Sequence, residues 1–352
     1  MYRSSRSILP CAVTLLAVIL VTQAAASTRH AYVSDFSSNL ISEYSINPTN
    51  GTLTPLGCAT IGTSSPVGLA IDPTGRFLYA ANQTSNTISL FTINSTTGCL
   101  AAGPIIATGG APTSLAINAT GACVFVTNQT ANTVTGYSIN ATTGTLTLPA
   151  VSSSSGGPKG IVVDPLGQFV YAVDSTGNAV SAYVIKTGSC VPATISGSPF
   201  ATGAVPTGVA IDPVGQFLLV TNNSPSTVTV FSIHPNNGAL ATVGAFATGL
   251  GPVGVAIDQF GQFAYVANNA AATVSSFSIS PTGVLTPIGT TATGLAPLGA
   301  TVDFSGRFLY IANSGSNDAS GFTIAPATGL LTAPVGSPFA TGNFPITVAV
   351  TP

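Results

Sequence analysis

The chain has 352 residues, of which 45% are apolar and only 5% charged, and its formal net charge is −2. That much apolar and β-branched content buries a core, which excludes a disordered chain. The seven Lys and Arg residues form no cluster, which excludes nucleic acid as a partner, because phosphate binding needs several cations on one face.

The first predicted element stands apart from the fold. Arg3 and Arg6 precede the apolar run Ala12–Val21, which is too short to span a bilayer, and Ala24-Ala25-Ala26 follows as a small-residue cleavage pattern. Residues 1–26 read as a secretory signal peptide and residues 27–352 as one domain, secreted, periplasmic or held at the cell surface. Without Arg3 and Arg6, five basic residues face nine acidic ones, and no later segment reaches membrane-spanning length.

A strand, HAYVSD from His30, opens the mature chain, and a repeat then takes over. Pro66, Pro112, Pro158, Pro206, Pro252, Pro297 and Pro345 each introduce an apolar run, and they are spaced 45 to 48 residues apart. A fixed period of that size signals a propeller or a solenoid. In the first full unit, Val67–Asp72 is a predicted strand and DPTG a type I turn, with Asp, Pro and Gly at its first, second and fourth positions. Arg76–Asn82, Thr87–Asn94 and Cys99–Ala107 are three further strands. Four short strands with tight turns and no helical period describe one propeller blade.

Aromatic residues recur in register. Tyr32, Tyr79, Phe125, Tyr171, Tyr265 and Tyr310 lie in the second strand, where Leu219 is the exception; Tyr44, Phe91, Tyr137, Tyr183, Phe231, Phe277 and Phe322 lie in the third. Such columns predict packing between blades. Seven copies of each strand are present, but out of phase with the chain ends. The chain opens on a second strand and closes on a first strand, Ile346–Val350. The expected fold is all-β, a seven-bladed β-propeller of four-stranded antiparallel blades, whose C-terminal strand pairs beside His30–Asp35 and closes the ring.

The segments YAAN, FVTN, LVTN, YVAN and YIAN, each following a (D/N)-x-x-G turn, resemble the YVTN repeat. Essentially everything after residue 29 is similar to the seven-bladed family that contains the 6-phosphogluconolactonase-like lactonases. That resemblance implies the fold. For activity it implies a site at the mouth of the central channel, worked by His, Arg and Glu side chains.

The residues available for chemistry are few. Asp72, Asp164, Asp212, Asp258 and Asp303, with Asn118 and Thr351 in the same slot, open the turn after the first strand and are expected to bind their own backbone. Asp35 and Asp174 align with Asn82, Asn128, Asn222, Asn268 and Asn313 at the end of the second strand. Asn39, Asn86, Asn132, Asn178 and Asn317 recur four residues later, and these amides are expected to brace the loop between the second and third strands. His30 takes a phenylalanine slot and is expected to be packed; His234 falls in an outer turn. No metal-ligand spacing, nucleophile elbow or positioned cysteine–histidine pair is present, so neither metal nor cofactor is expected.

After signal cleavage four cysteines remain: Cys58, Cys99, Cys123 and Cys190. They are too few to read as a disulfide framework or to assign pairings. Cys123 takes the slot held by Phe77, Phe169, Phe217, Phe263 and Phe308 elsewhere, and a buried free thiol is expected there.

The residues after the seven prolines should ring the channel mouth: Val67, Thr113, Lys159, Thr207, Val253, Leu298 and Ile346. Only Lys159 is ionisable. It follows the loop SSSSGG and is expected to be solvated. As a catalytic group its partners would be Asp174 or Asp35. The functional expectation is an exported, non-catalytic binding or scaffolding module. Its contact face would be built on the loops carrying Asn82, Asn86, Asn128, Asn132, Asn178, Asn222, Asn313 and Asn317, and carbohydrate or an extracellular protein or peptide would be the partner. The alternative is a lactonase-type hydrolase of a small sugar lactone.

Overall fold

A computed structural model describes residues 29–58, 62–154, 156–186, 188–333 and 336–352, and the expected signal peptide lies outside them. The described residues contain strands and turns and no helix. They form seven antiparallel sheets. In the second blade the strands are Pro66–Ile71, Phe77–Asn82, Thr87–Ile93 and Leu100–Ala107. The same order recurs in blades three to seven, whose innermost strands begin at Pro112, Pro158, Pro206, Pro252 and Pro297. In the fourth and seventh blades the outer position is shared by two short strands, Pro192–Thr194 with Phe200–Ala201 and Leu331–Thr332 with Phe339–Ala340.

The first blade is assembled from both ends of the chain. Pro345–Val350 pairs antiparallel with Arg29–Asp35, setting Val33 opposite Val348. It sits between the innermost strands of the seventh and second blades, so the seven innermost strands form an unbroken ring. This is the closure expected from the sequence, and it pairs what would otherwise be an open sheet edge.

The second strands carry the core. The side chains of Tyr32, Tyr79, Phe125, Tyr171, Leu219, Tyr265 and Tyr310 are fully buried. The tyrosines do more than fill space. Tyr32 donates to the carbonyl of Gly98 (2.6 Å), Tyr79 to Gly144 (2.7 Å), Tyr171 to Gly238 (2.9 Å), Tyr265 to Gly329 (3.0 Å) and Tyr310 to Gly51 (2.8 Å). Each acceptor lies in the third-strand turn of the next blade, so every such bond crosses a seam. The phenylalanine two residues before the tyrosine stacks under the same turn. A Cβ on Gly144, at φ +72°, would lie 2.6 Å from the Phe77 ring, so only glycine fits there. His30 plays the phenylalanine's part against Gly98 and is packed, as expected.

The cysteine expectation is corrected. Cys58 is bonded to Cys99 and Cys123 to Cys190, with Cα–Cα distances of 5.7 and 5.5 Å. Both bridges cross seams, one joining the first blade to the second and the other the third to the fourth. Cys123 is no free thiol because the phenylalanine slot faces the next blade's turn region, where Cys190 waits. At that seam the second-strand aromatic is Phe125, which lacks a hydroxyl, and the disulfide supplies the cross-link instead.

Candidate active site at the channel mouth

In every blade the innermost strand carries a register shift directly after its proline. In the fourth blade Pro158 lies opposite Asp174 and the next pair is Ile161 with Ala172, so Lys159 and Gly160 together oppose one residue. A bulge of this kind re-aims a side chain. Here it turns the post-proline residues toward the axis. Val67, Thr113, Lys159, Thr207, Val253, Leu298 and Ile346 line one cavity of about 570 Å³, the seven residues expected from the sequence. In five of the seven blades a glycine beside the bulge lets neighbouring strands close in: a Cβ on Gly208 would lie 2.0 Å from the Val253 carbonyl oxygen.

Lys159 is half-buried in this wall rather than solvated beside a loose loop. Its backbone carbonyl accepts hydrogen bonds from the Thr127 hydroxyl (2.6 Å) and the Thr113 hydroxyl (3.2 Å), which fix the strand. The ion pair formed among the described residues is Arg29–Asp303, at the other end of the blades, so Lys159 has no countercharge. Burial therefore holds its ammonium below the ordinary lysine range.

A second tier comes from the loops expected to form the contact face, at residues not singled out there. Gln83, Gln129, Asn223 and Asn269 also line the cavity. Each directly follows the asparagine that ends a second strand, and a polar residue at that repeat position was the available signal. Asn223 and Asn269 donate to the carbonyls of Pro252 and Pro297, at 3.5 and 3.2 Å. Gln83 and Gln129 make no such bond. The lining contains one amine, four carboxamides and several hydroxyls, and no carboxylate or imidazole.

The other candidates lie elsewhere. Asp35 and Asp174 are fully buried and accept from the hydroxyls of Ser42 and Ser181, both at 2.6 Å. Neither lines the cavity with Lys159. Burial raises the Asp35 carboxyl to about 6, an effect reduced by the Ser42 hydrogen bond. Asn82, Asn128, Asn222 and Asn313 are at most 1% exposed, and their amides donate to hydroxyl or carboxylate groups of the third strand. They offer no surface to a ligand. Asn86, Asn132, Asn178 and Asn317 are exposed and hold φ between 51° and 57°. Their side-chain oxygens accept from the backbone N–H groups of Ala111, Gly157, Val205 and Phe344, at 2.7 to 2.9 Å. They brace the entry to the next blade's innermost strand, not only their own loop. At the opposite end of the blades, Asp72 accepts from the N–H groups of Arg76 (2.7 Å) and Phe77 (2.6 Å), the local turn role expected of it.

The closed ring of seven antiparallel blades defines the class of molecule, a seven-bladed β-propeller. The sequence matches the model of the lactonase seven-bladed β-propeller family over residues 17–113, 101–163, 148–257 and 242–345, and the chain belongs to that family. Among solved structures, a candidate 6-phosphogluconolactonase from Bacteroides fragilis superposes with a TM-score of 0.83 at 21% identity, covering 93% of this chain and 98% of that one. The periplasmic gluconolactonase of Pseudomonas aeruginosa gives 0.82 at 20% identity, covering 93% and 99%. Hydrazine synthase of Kuenenia stuttgartiensis gives 0.62 at 18% identity, covering 80% and 88%. At these identities the likeness is one of fold. No curated protein matches the sequence.

Proposed function

We propose that this protein is a lactonase that opens a small sugar-like lactone at the channel mouth, with Lys159 as its acid–base group. Family membership favours this alternative over the non-catalytic binding module expected first. The observation that carries it is Lys159 itself, half-buried on a bulge, without a countercharge, inside the cavity. A lysine held below its ordinary pKa range is neutral over a wider span of pH and, when neutral, can take a proton from water. The water oxygen then bonds to the lactone carbonyl carbon, and the carbonyl electrons move onto oxygen. Carboxamide N–H groups of Gln83 and Gln129 face the cavity as donors to that oxyanion. The tetrahedral intermediate collapses by breaking the bond to the ring oxygen, which takes the proton back from the Lys159 ammonium. The product is the open hydroxy acid.

The reading includes export. The leader pattern at residues 1–26 and two disulfides support an oxidising compartment.

The test is hydrolysis of δ-gluconolactone followed by pH-stat. The expected result is a rate above the buffer rate, falling about 10²–10⁴-fold in Lys159→Ala. A wild-type rate equal to buffer, or an undiminished Lys159→Ala rate, would overturn the reading and return the binding module to first place.

A further inference from the structure

The rim of the mouth is built unequally. Ahead of each innermost strand, two loop residues stand at the mouth end of the blade. In the second, third and fourth blades both are small: serine, glycine or alanine. In the fifth, sixth, seventh and first blades one of the two is large and apolar: Val205, Leu250, Leu295 and Phe344, exposed by 42, 66, 62 and 43%. Phe36 adds to this side, its ring centroid 6.0 Å from that of Phe344. The cavity wall repeats the division in part, with Val67 of the second blade and Thr207 of the fifth departing from it. Val253, Leu298 and Ile346 belong to the sixth, seventh and first blades, whereas Thr113 and Lys159 belong to the third and fourth. From the sixth blade round to the first, the rim and the post-proline residues are therefore both apolar, whereas those of the third and fourth blades are small, polar or cationic.

We infer that the preferred substrate is amphipathic: a lactone ring carrying an alkyl or aryl substituent, opened faster than a bare sugar lactone such as δ-gluconolactone. This rests on the reading of the mouth as a lactone-hydrolysing site. The ring lies toward Lys159, Gln83 and Gln129, and the substituent lies across Leu298 and Ile346 under the Leu250–Leu295 rim. Large side chains left in water around a cavity are stabilised when a ligand covers them. A phosphate substituent has no comparable home, because Lys159 is the one cation in the lining and a phosphate dianion is held by several.

The experiment compares δ-valerolactone with δ-decalactone, its pentyl-substituted form, and measures binding of the two corresponding six-membered lactams by calorimetry. Burial of even part of the pentyl chain gives a preference of about tenfold or more in kcat/KM and in lactam Kd. The double variant Leu250→Ser/Leu295→Ser changes only exposed positions and should fold. It is expected to shrink both ratios to about threefold or less. Hydrolysis of both lactones without a pentyl preference overturns the substrate class and leaves the lactonase reading standing. Hydrolysis of neither, with a tenfold lactam preference that the double variant removes, sinks the lactonase reading and upholds the amphipathic site. Equal lactam affinities overturn it.

Discussion

Tyr310 donates a 2.8 Å hydrogen bond to the carbonyl of Gly51, a residue 259 positions earlier in the chain. The contact joins the seventh blade to the first, and the same tyrosine-to-glycine bond recurs at four other seams. Each of these five seams is thus fixed by a polar contact inside an apolar stack. Tyr265→Phe keeps the ring and deletes the hydroxyl, which leaves the Gly329 carbonyl unpaired. The expected cost is about 1–3 kcal/mol, read from urea unfolding. An unchanged midpoint would show that the hydroxyl is not needed at the seam.

Ring closure makes a larger prediction. Deleting residues 345–352 removes the innermost strand of the first blade, and with it the buried side chains of Val348, Ala349 and Val350. It also bares the edge of Arg29–Asp35. The truncated protein should melt far below the full chain and scatter light on heating, because an exposed strand edge recruits other chains. A truncated protein with an unaltered melt would rule out closure as a source of stability.

The disulfides span 41 and 67 residues. Chain-entropy arguments assign about 4 kcal/mol to closing loops of that length. Reduction, or the pairs Cys58→Ser/Cys99→Ser and Cys123→Ser/Cys190→Ser, should each lower unfolding free energy by amounts of that order. The measurement is a denaturant titration with and without a thiol-free reductant.

Most of the fold was legible because it is written seven times. The proline period, the DPTG-type turns and the aromatic columns each repeat, so single departures such as Leu219 or Cys123 did not obscure the unit. The closing strand was legible from the phase of the chain ends. The disulfides were not, because cysteine spacing along the chain says nothing about which slot faces which turn across a seam; Cys123 and Cys190 meet only through that geometry. The inner ring of the mouth was read correctly from the post-proline residues. Its outer ring was not, because Gln83 and Gln129 look like ordinary loop polar residues until ring closure brings the ends of the second strands to one mouth. Lys159 was read as solvated from its glycine- and serine-rich approach, but the wall of neighbouring strands decides its burial.

Asp35 gives a pH prediction opposite to that of most carboxylates. Burial raises its folded-state pKa to about 6 from an ordinary value of 3.8. Between those values the folded protein binds more protons than the unfolded one, so this group's contribution falls as pH rises through that window. The full loss corresponds to about 3 kcal/mol at 1.36 kcal/mol per unit. Five other blades carry asparagine at this position. Asp35→Asn should therefore stabilise the protein at pH 7 and remove this contribution to the decline between pH 4 and 6. Melting temperatures of both proteins across that range decide the matter. A mutant less stable at pH 7 would show that the carboxylate is favoured where it sits.

Lys159 offers two chemical roles with opposite pH signatures. As a base it works only when deprotonated, so kcat/KM rises with pH as the amine titrates. As a fixed cation polarising the carbonyl it works only when protonated, so kcat/KM falls over the same range. The absence of a countercharge together with burial places the titration below the ordinary value of 10.5. The proposed mechanism needs the base, and the expected profile rises and levels off before pH 10.5, after subtraction of hydroxide-catalysed hydrolysis. Lys159→Arg keeps the charge but cannot deprotonate in this range, so it should lose the rising limb along with the rate. A falling limb in the wild type that survives in Lys159→Arg would assign the residue to carbonyl polarisation. A rising limb unchanged in Lys159→Ala would remove it from the chemistry.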